Sequence, residues 1–157
     1  MEMVRMTCFA VALALTPMSS AWGADFSLAI GNPVAVAVPG GIVKKDIGMA
    51  VRVENCADVA KAEITGTAEG MINGSRRSVP VRVVAASTAG AFAVSRDWPQ
   101  EGVWVVSLTG RCGSSTASAV IPMGPNGFLR ESSKFFPRAA TAAEVESVLK
   151  TLAGGGK

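Results

Sequence analysis

The sequence predicts an all-β domain, stapled by one disulfide and followed by a short C-terminal α-helix. Three observations carry that expectation. Between Phe26 and Pro122 the chain is a succession of short runs rich in Val, Ile, Ala and Thr, each bounded by Gly, Pro, Asn or Asp, which is the signature of strands and turns. Two of the turns, Asn73-Gly74 and Gly113-Ser114, bring apolar residues opposite apolar residues when the flanking runs are folded back on them. Only two cysteines, Cys56 and Cys112, lie beyond the N-terminal segment.

That segment, residues 1–23, has a weakly basic head (Arg5), an apolar run from Cys8 to Leu15, the helix breaker Pro17 and a small-residue end at Ala21-Trp22-Gly23. It reads as a secretory signal peptide. The apolar run is shorter than the roughly 20 residues that a spanning helix needs, and no later stretch approaches that length free of charge. The mature protein is therefore expected to be soluble, periplasmic or extracellular, and to begin near Ala24 or Asp25. Cys8 precedes the apolar run, where a lipoprotein cysteine would follow it, so it leaves with the signal. The remainder suits one domain burying roughly two thirds of its unfolded surface. In an oxidising compartment Cys56 and Cys112 are left to pair. The bond would close a loop of about 57 residues, worth about 4 kcal/mol in the chain-entropy model, and no Cys-x-x-Cys gives it a redox reading.

The strands fall near 26–38, with a break allowed at Gly31-Asn32-Pro33, then 43–54, 60–70, 78–85, 90–97, 102–111 and 116–122. Asn73-Gly74 favours a two-residue turn with both residues at positive φ. Folding back on it sets Ala68 against Val79, Gly66 against Val81 and Ile64 against Val83, and leaves Lys61, Glu63, Thr65, Thr67 and Glu69 to water. Folding back on Gly113-Ser114 pairs Cys112 with Ser115, Gly110 with Ala117, Leu108 with Ala119, Val106 with Ile121 and Trp104 with Met123. The last pair sets an indole against a soft thioether. A slip of one residue would turn the apolar set to the wrong face.

Between these hairpins, the stretch from Phe92 to Trp104 resembles the corner before the penultimate strand of immunoglobulin-like and fibronectin III-like sandwiches. Trp98, Gly102 and Trp104 stand where those folds end one strand, turn on glycine and anchor the next strand with an aromatic. The resemblance implies a seven-stranded, immunoglobulin-like antiparallel sandwich over residues 24–123. It departs from antibody domains in having Trp for Tyr and a cysteine eight residues later, at the strand's end. A plain hairpin at 98–102, giving a continuous meander, is the alternative. In the immunoglobulin-like order Cys56 and Cys112 fall in loops at one end of the sandwich, which makes their bond a staple at the rim.

Residues 124–140 mix Phe128, Leu129, Phe135 and Phe136 with Arg130, Glu131, Lys134 and Arg138 and read as an irregular strap whose aromatics lie on the sandwich. A helix follows over 141–153. Thr141 and Glu144 form a capping box, Val145, Val148, Leu149 and Leu152 make one apolar stripe, and Gly154 ends it, leaving 154–157 as a loose tail. At about twelve residues it is marginal alone, so its stripe needs a cover.

Chemistry is sparse. The chain has no histidine and no tyrosine, which removes the commonest general base and transition-metal ligand and any histidine-based triad. Glu63, Glu69, Asp97 and Glu101 alternate outward or sit in turns. Met49, Met71 and Met123 are too scattered for a cuprous site, carboxylates are not spaced for calcium, and no glycine-rich loop opens a helix for phosphate. Neither enzyme activity, nor a cofactor, nor a metal site is expected. The net charge of +3, with Arg76-Arg77 as the densest basic pair, argues against nucleic acid.

What remains is surface. Trp98 and Pro99 at a loop tip are candidates to anchor a peptide or a sugar ring, against the favoured alternative that Trp98 plugs the core. Phe135, Phe136, Val145 and Leu149, in the strap and helix, are candidates to dock into a partner's groove, against the favoured alternative that they pack on their own domain. The resulting expectation is a monomeric, non-catalytic, exported accessory or binding module that touches another envelope or periplasmic protein. A small-ligand carrier, for a metal or a sugar, is the alternative.

Overall fold

The computed structural model describes residues 25–33, 37–39 and 46–155. The expected signal peptide, the parts of the first two expected strands that fall on 34–36 and 43–45, and the last two residues of the expected tail lie outside the described residues. The chain forms β1 (Ser27–Gly31), β2 (Ile47–Glu54), β3 (Glu63–Ile72), β4 (Ser75–Pro80), β5 (Val83–Ala85), β6 (Ala91–Ser95), β7 (Val103–Cys112), β8 (Ser115–Gly124), β9 (Gly127–Phe128), β10 (Lys134–Phe136) and the helix α1 (Ala142–Gly154). These strands make two antiparallel sheets. One runs β1-β2-β6-β5 and the other β10-β8-β7-β3-β4, with β9 added to β8.

The two sheets share one core. Phe26, Leu28, Ile30, Met49, Val51, Val53, Phe92 and Val94 come from the first sheet and its entry. They meet Ile64, Ala68, Trp104, Val106, Leu108, Ala119, Ile121 and Met123 from the second. β1 lies over β8 and β5 over β3. The seating of β1 is close enough that a Cβ on Gly110 would come within 2.7 Å of the Leu28 side chain, so Gly110 is the residue that lets the layers meet there.

The hairpin at Gly113-Ser114 has all five expected pairs, from Cys112 with Ser115 to Trp104 with Met123. At the other hairpin Asn73 and Gly74 take φ of +48° and +77°, as a twisted two-residue turn requires, and Ala68 pairs with Val79. Beyond Pro80 the expectation fails. The run 78–85 is not one strand but two in different sheets, because β4 pairs with β3 while Val83 pairs with Val94 of β6 rather than with Ile64. Pro80 has no N–H to continue a ladder, and only the Val81 N–H still reaches the Gly66 carbonyl, at 3.1 Å. The Arg82 N–H then donates to the Asp97 carboxylate at 2.8 Å while the Arg82 carbonyl accepts from the Ser95 N–H at 2.8 Å. Those bonds fasten the crossing to the far sheet.

Residues 98–102 connect β6 in one sheet to β7 in the other, so this turn is a corner between layers and not a plain hairpin. Cys56, just after β2, is bonded to Cys112 at the end of β7, with Cα atoms 5.8 Å apart. The segment after β8 is more ordered than the expected strap. It holds β9, a 3-10 turn at Arg130–Ser132 and β10, which pairs Lys134, Phe135 and Phe136 with Val120, Ala119 and Ser118. α1 begins at the Thr141–Glu144 capping box and ends at Gly154, one residue later than expected. Its Val145, Val148 and Leu149 bury themselves on Val105 and Val120, on the outer face of the larger sheet. No helix among the described residues is long and apolar enough to cross a membrane.

Candidate interaction surface

Residues paired directly across an antiparallel ladder share a face of the sheet. Phe135 pairs with Ala119, and Ala119 with Leu108, both fully buried in the core between the sheets. Phe135 therefore sits on the core-facing side of β10. Yet β1, the last strand of the smaller sheet, lies over β8, and β10 is one strand further out. The larger sheet overhangs there, and Phe135 is left 52% exposed.

The opposite face of β10 behaves differently. Lys134 pairs with Val120 and Phe136 with Ser118, residues that face α1. Phe136 packs into the apolar cluster under the helix, and the Arg138 guanidinium lies over its ring at 5.2 Å, a cation–π contact. Arg138 is held by the Glu144 carboxylate through two hydrogen bonds of 2.9 and 2.7 Å. Those bonds first, then the Thr141 N–H, hold the Glu144 carboxyl down to about 2. The same partner raises Arg138.

Between β9 and β10 the Leu129 N–H donates to the Pro122 carbonyl at 2.8 Å, and Leu129 remains 38% exposed. Arg130 spans the side of the molecule. Its guanidinium lies 5.6 Å from the Phe128 ring and donates to the Ile30 carbonyl of β1 at 3.0 Å. Among the described residues the overhang is thus bounded by the outer edge of β1, the Arg130 side chain and the Phe135 ring.

The structure separates the six candidate contact residues. Phe135 and Pro99 are exposed and Phe136 is half-buried, whereas Trp98, Val145 and Leu149 are buried. Trp98 belongs to the core, its ring packed so near Gly48 that a Cβ there would come within 2.9 Å, so it is a plug and not an anchor at a tip. Val145 and Leu149 face their own sheet and offer nothing to a groove elsewhere. Cys56 and Cys112 are together as expected.

Two features escaped sequence reasoning. The seat of the helix is signalled by Val105 and Val120, apolar residues at outward parity on strands whose inward positions are already apolar. The Arg130–Ile30 bond joins residues a hundred positions apart and has no local signal. A second concavity of about 500 Å³ lies between α1 and β10, lined by Pro122, Val148 and Leu152 with Ser132, Lys134 and Thr151 at its margin. Compared with known proteins, the chain matches no family model, no curated protein and no solved structure.

Proposed function

We propose that this chain is a non-catalytic, exported contact module that binds another envelope or periplasmic protein through its β10 edge, with Phe135 at the centre. The observation that carries this is a phenylalanine 52% exposed on the core-facing side of an overhanging strand. Large aromatics on a rim of polar and basic groups are what contact surfaces concentrate. The immunoglobulin-like reading gains support from strand order: β1-β2-β6-β5 opposite β8-β7-β3 follows the ABED and GFC sheets of that fold, with β4 as an additional neighbour. Export gains support from the Cys56–Cys112 bond, since such bonds persist in oxidising compartments.

The test is a mild-crosslinking pull-down from the host's own envelope fraction with the wild-type protein and Phe135→Glu side by side. One stoichiometric protein kept by the wild type and lost by the variant is the expected result. Equal retention by both places the contact elsewhere, and no retention by either overturns the reading.

The concavity under α1 favours a second reading, a carrier for a small ligand. Its walls offer no carboxylate, thiolate or imidazole, so it suits an apolar molecule better than a metal ion or a sugar. Saturable enhancement of an apolar fluorophore's emission, abolished by Leu152→Asp, would support it, and a signal indifferent to that change would refute it.

A further inference from the structure

We infer that the end of the sandwich beside Arg96 is a binding site for a small organic carboxylate, held by the Arg96 guanidinium. The inference goes beyond the contact reading and uses neither Phe135 nor the β10 edge. Arg96 follows β6, and its N–H extends the ladder to the Asp46 carbonyl at 2.7 Å. It therefore keeps the inward parity of Phe92 and Val94, which lie in the core. The residue is half-buried and its Nε is buried, yet among the described residues that N–H has no hydrogen-bond acceptor. The guanidinium forms no ion pair with a described residue either. A desolvated cation without an acceptor costs stability, which an anion bound to it would offset.

The surroundings of Arg96 give that anion its shape. Arg96 lines a concavity of about 450 Å³ whose walls include Pro33, Met123, Asn126 and Phe128, and it is the one charged residue among the described residues that line it. That volume is of the size that holds small ligands. Met123 and Phe128 offer apolar surface to a carbon skeleton, and the exposed Asn126 offers an amide at the margin. A guanidinium fork matches a carboxylate in geometry and charge. An inorganic anion would satisfy Arg96 and leave the apolar walls uncovered.

The acids near Arg96 in the chain are directed elsewhere. Asp97 is taken by Arg82, through hydrogen bonds to its backbone N–H and its guanidinium, each as short as 2.8 Å. Asp46 is exposed, and among the described bonds it gives Arg96 only its backbone carbonyl. Glu101 and Glu131 are exposed and line no part of the concavity. Residues 34–36 and 40–45, beside Pro33 and Asp46 in the chain, contain no acid. Arg130, stacked on Phe128 at 5.6 Å, already donates to the Ile30 carbonyl. With charges of both signs around it, the site holds its anion by direct contact with Arg96 and not by a long-range field.

The experiment titrates the purified protein with benzoate and with butyrate, followed by amide chemical shifts, with benzamide as the uncharged counterpart of benzoate and inorganic phosphate as a competitor. At least one carboxylate should bind saturably, with shifts centred on Arg96 and Asn126, and benzamide should bind at least tenfold more weakly than benzoate. Arg96→Lys, which keeps the charge and loses the fork, should weaken binding at least tenfold, and Arg96→Met should abolish it. Because Arg96 has no partner to lose, ligand-free Arg96→Met should melt at or above the wild-type temperature. Absence of saturable binding by both carboxylates, or equal binding of benzoate and benzamide, overturns the proposal. Tighter binding of phosphate than of either carboxylate overturns the organic ligand. Binding seen only in Asp46→Asn, or a melting temperature several degrees lower in Arg96→Met, would make the partner of Arg96 a group of the chain itself and overturn the site.

Discussion

Among the described residues the larger sheet ends in two unpaired edges, and they are finished in opposite ways. At one, β4 presents Ser75, Arg76, Arg77 and Ser78 to water. Arg76 is tied to Glu69 and to Glu146 of α1, Ser78 donates to Glu69 at 2.6 Å, and Pro80 ends the ladder. Charge and proline are the usual protections against unwanted strand pairing. At the other edge, β10 is three residues long and turns a bare phenyl ring to the side of the molecule. Both strands lie beyond the smaller sheet's reach, β4 past β3 and β10 past β8. The difference teaches that what an edge leaves bare matters more than its exposure: β4 meets water with charge and hydroxyls, whereas β10, short and carrying Lys134, leaves one large apolar ring uncovered.

The largest expected effect tests what the two edges share. Cys56–Cys112 ties the end of β2 to the end of β7 across the layers, so replacing both cysteines by serine should lower stability by about 4 kcal/mol. Denaturant unfolding would measure it, and amide exchange should rise at β4 and β10 alike. Loss confined to one edge would show that the layers fold independently of the bond. Next in size is Thr141→Ala, which removes the N-cap of α1 and should cost about 1 kcal/mol. α1 reaches towards both edges, to Arg76 through Glu146 and to Arg138 through Glu144, so exchange should rise at both again.

These same elements show how far the fold could be read in the chain. The β7–β8 hairpin was legible to its last pair because turn, parity and packing all agree, and nothing in 104–123 competes with the ladder. The β3–β4 hairpin was legible only as far as Pro80. Past that point local pattern still favours pairing, but Arg82 is captured by Asp97, fifteen residues on, and the chain changes sheets. The capping box and apolar stripe of α1 were legible because they are local. The contact surface was legible only in part. Phe135 could be named as an aromatic in a polar strap, but its exposure follows from an overhang, which depends on the widths of two sheets. Trp98 shows the converse, a tryptophan beside Pro99 whose parity already favoured a core plug over a tip, and which closes the core.

Acid should separate the edges further. Glu144 is held down to about 2 and Asp97 below its ordinary value, each chiefly by hydrogen bonds from an arginine side chain. A carboxyl whose folded value lies below its unfolded value of about 4 stabilises the fold in full above that unfolded value. The contribution is lost as pH falls towards the folded one. Melting temperature should therefore drop between about pH 5 and pH 2, with a shallower slope in Glu144→Gln and Asp97→Asn. Exchange should rise first beside Arg138, at the β10 end, and at the Arg82 crossing. An equal acid response in both variants and the wild type would remove these carboxylates from the account.

The smallest effect on stability is expected from exchanging the characters of the two edges. Phe135→Arg gives β10 the protection that β4 has, and Arg77→Phe gives β4 the exposed ring that β10 has. Each residue is exposed, so each change should alter stability by no more than about 0.5 kcal/mol. Their consequences for association should nevertheless be opposite. Phe135→Arg should stay monomeric and lose partner capture. Arg77→Phe should begin to self-associate with rising concentration, because β4 is six residues long and its hydrogen-bonding groups would no longer be guarded by charge at that position. Sedimentation velocity of the two variants decides between edge chemistry and edge length. If Arg77→Phe stays monomeric at high concentration, the remaining Arg76 network and Pro80 protect β4 without Arg77, and the contrast between the edges lies in Pro80 and the ion pairs rather than in one side chain.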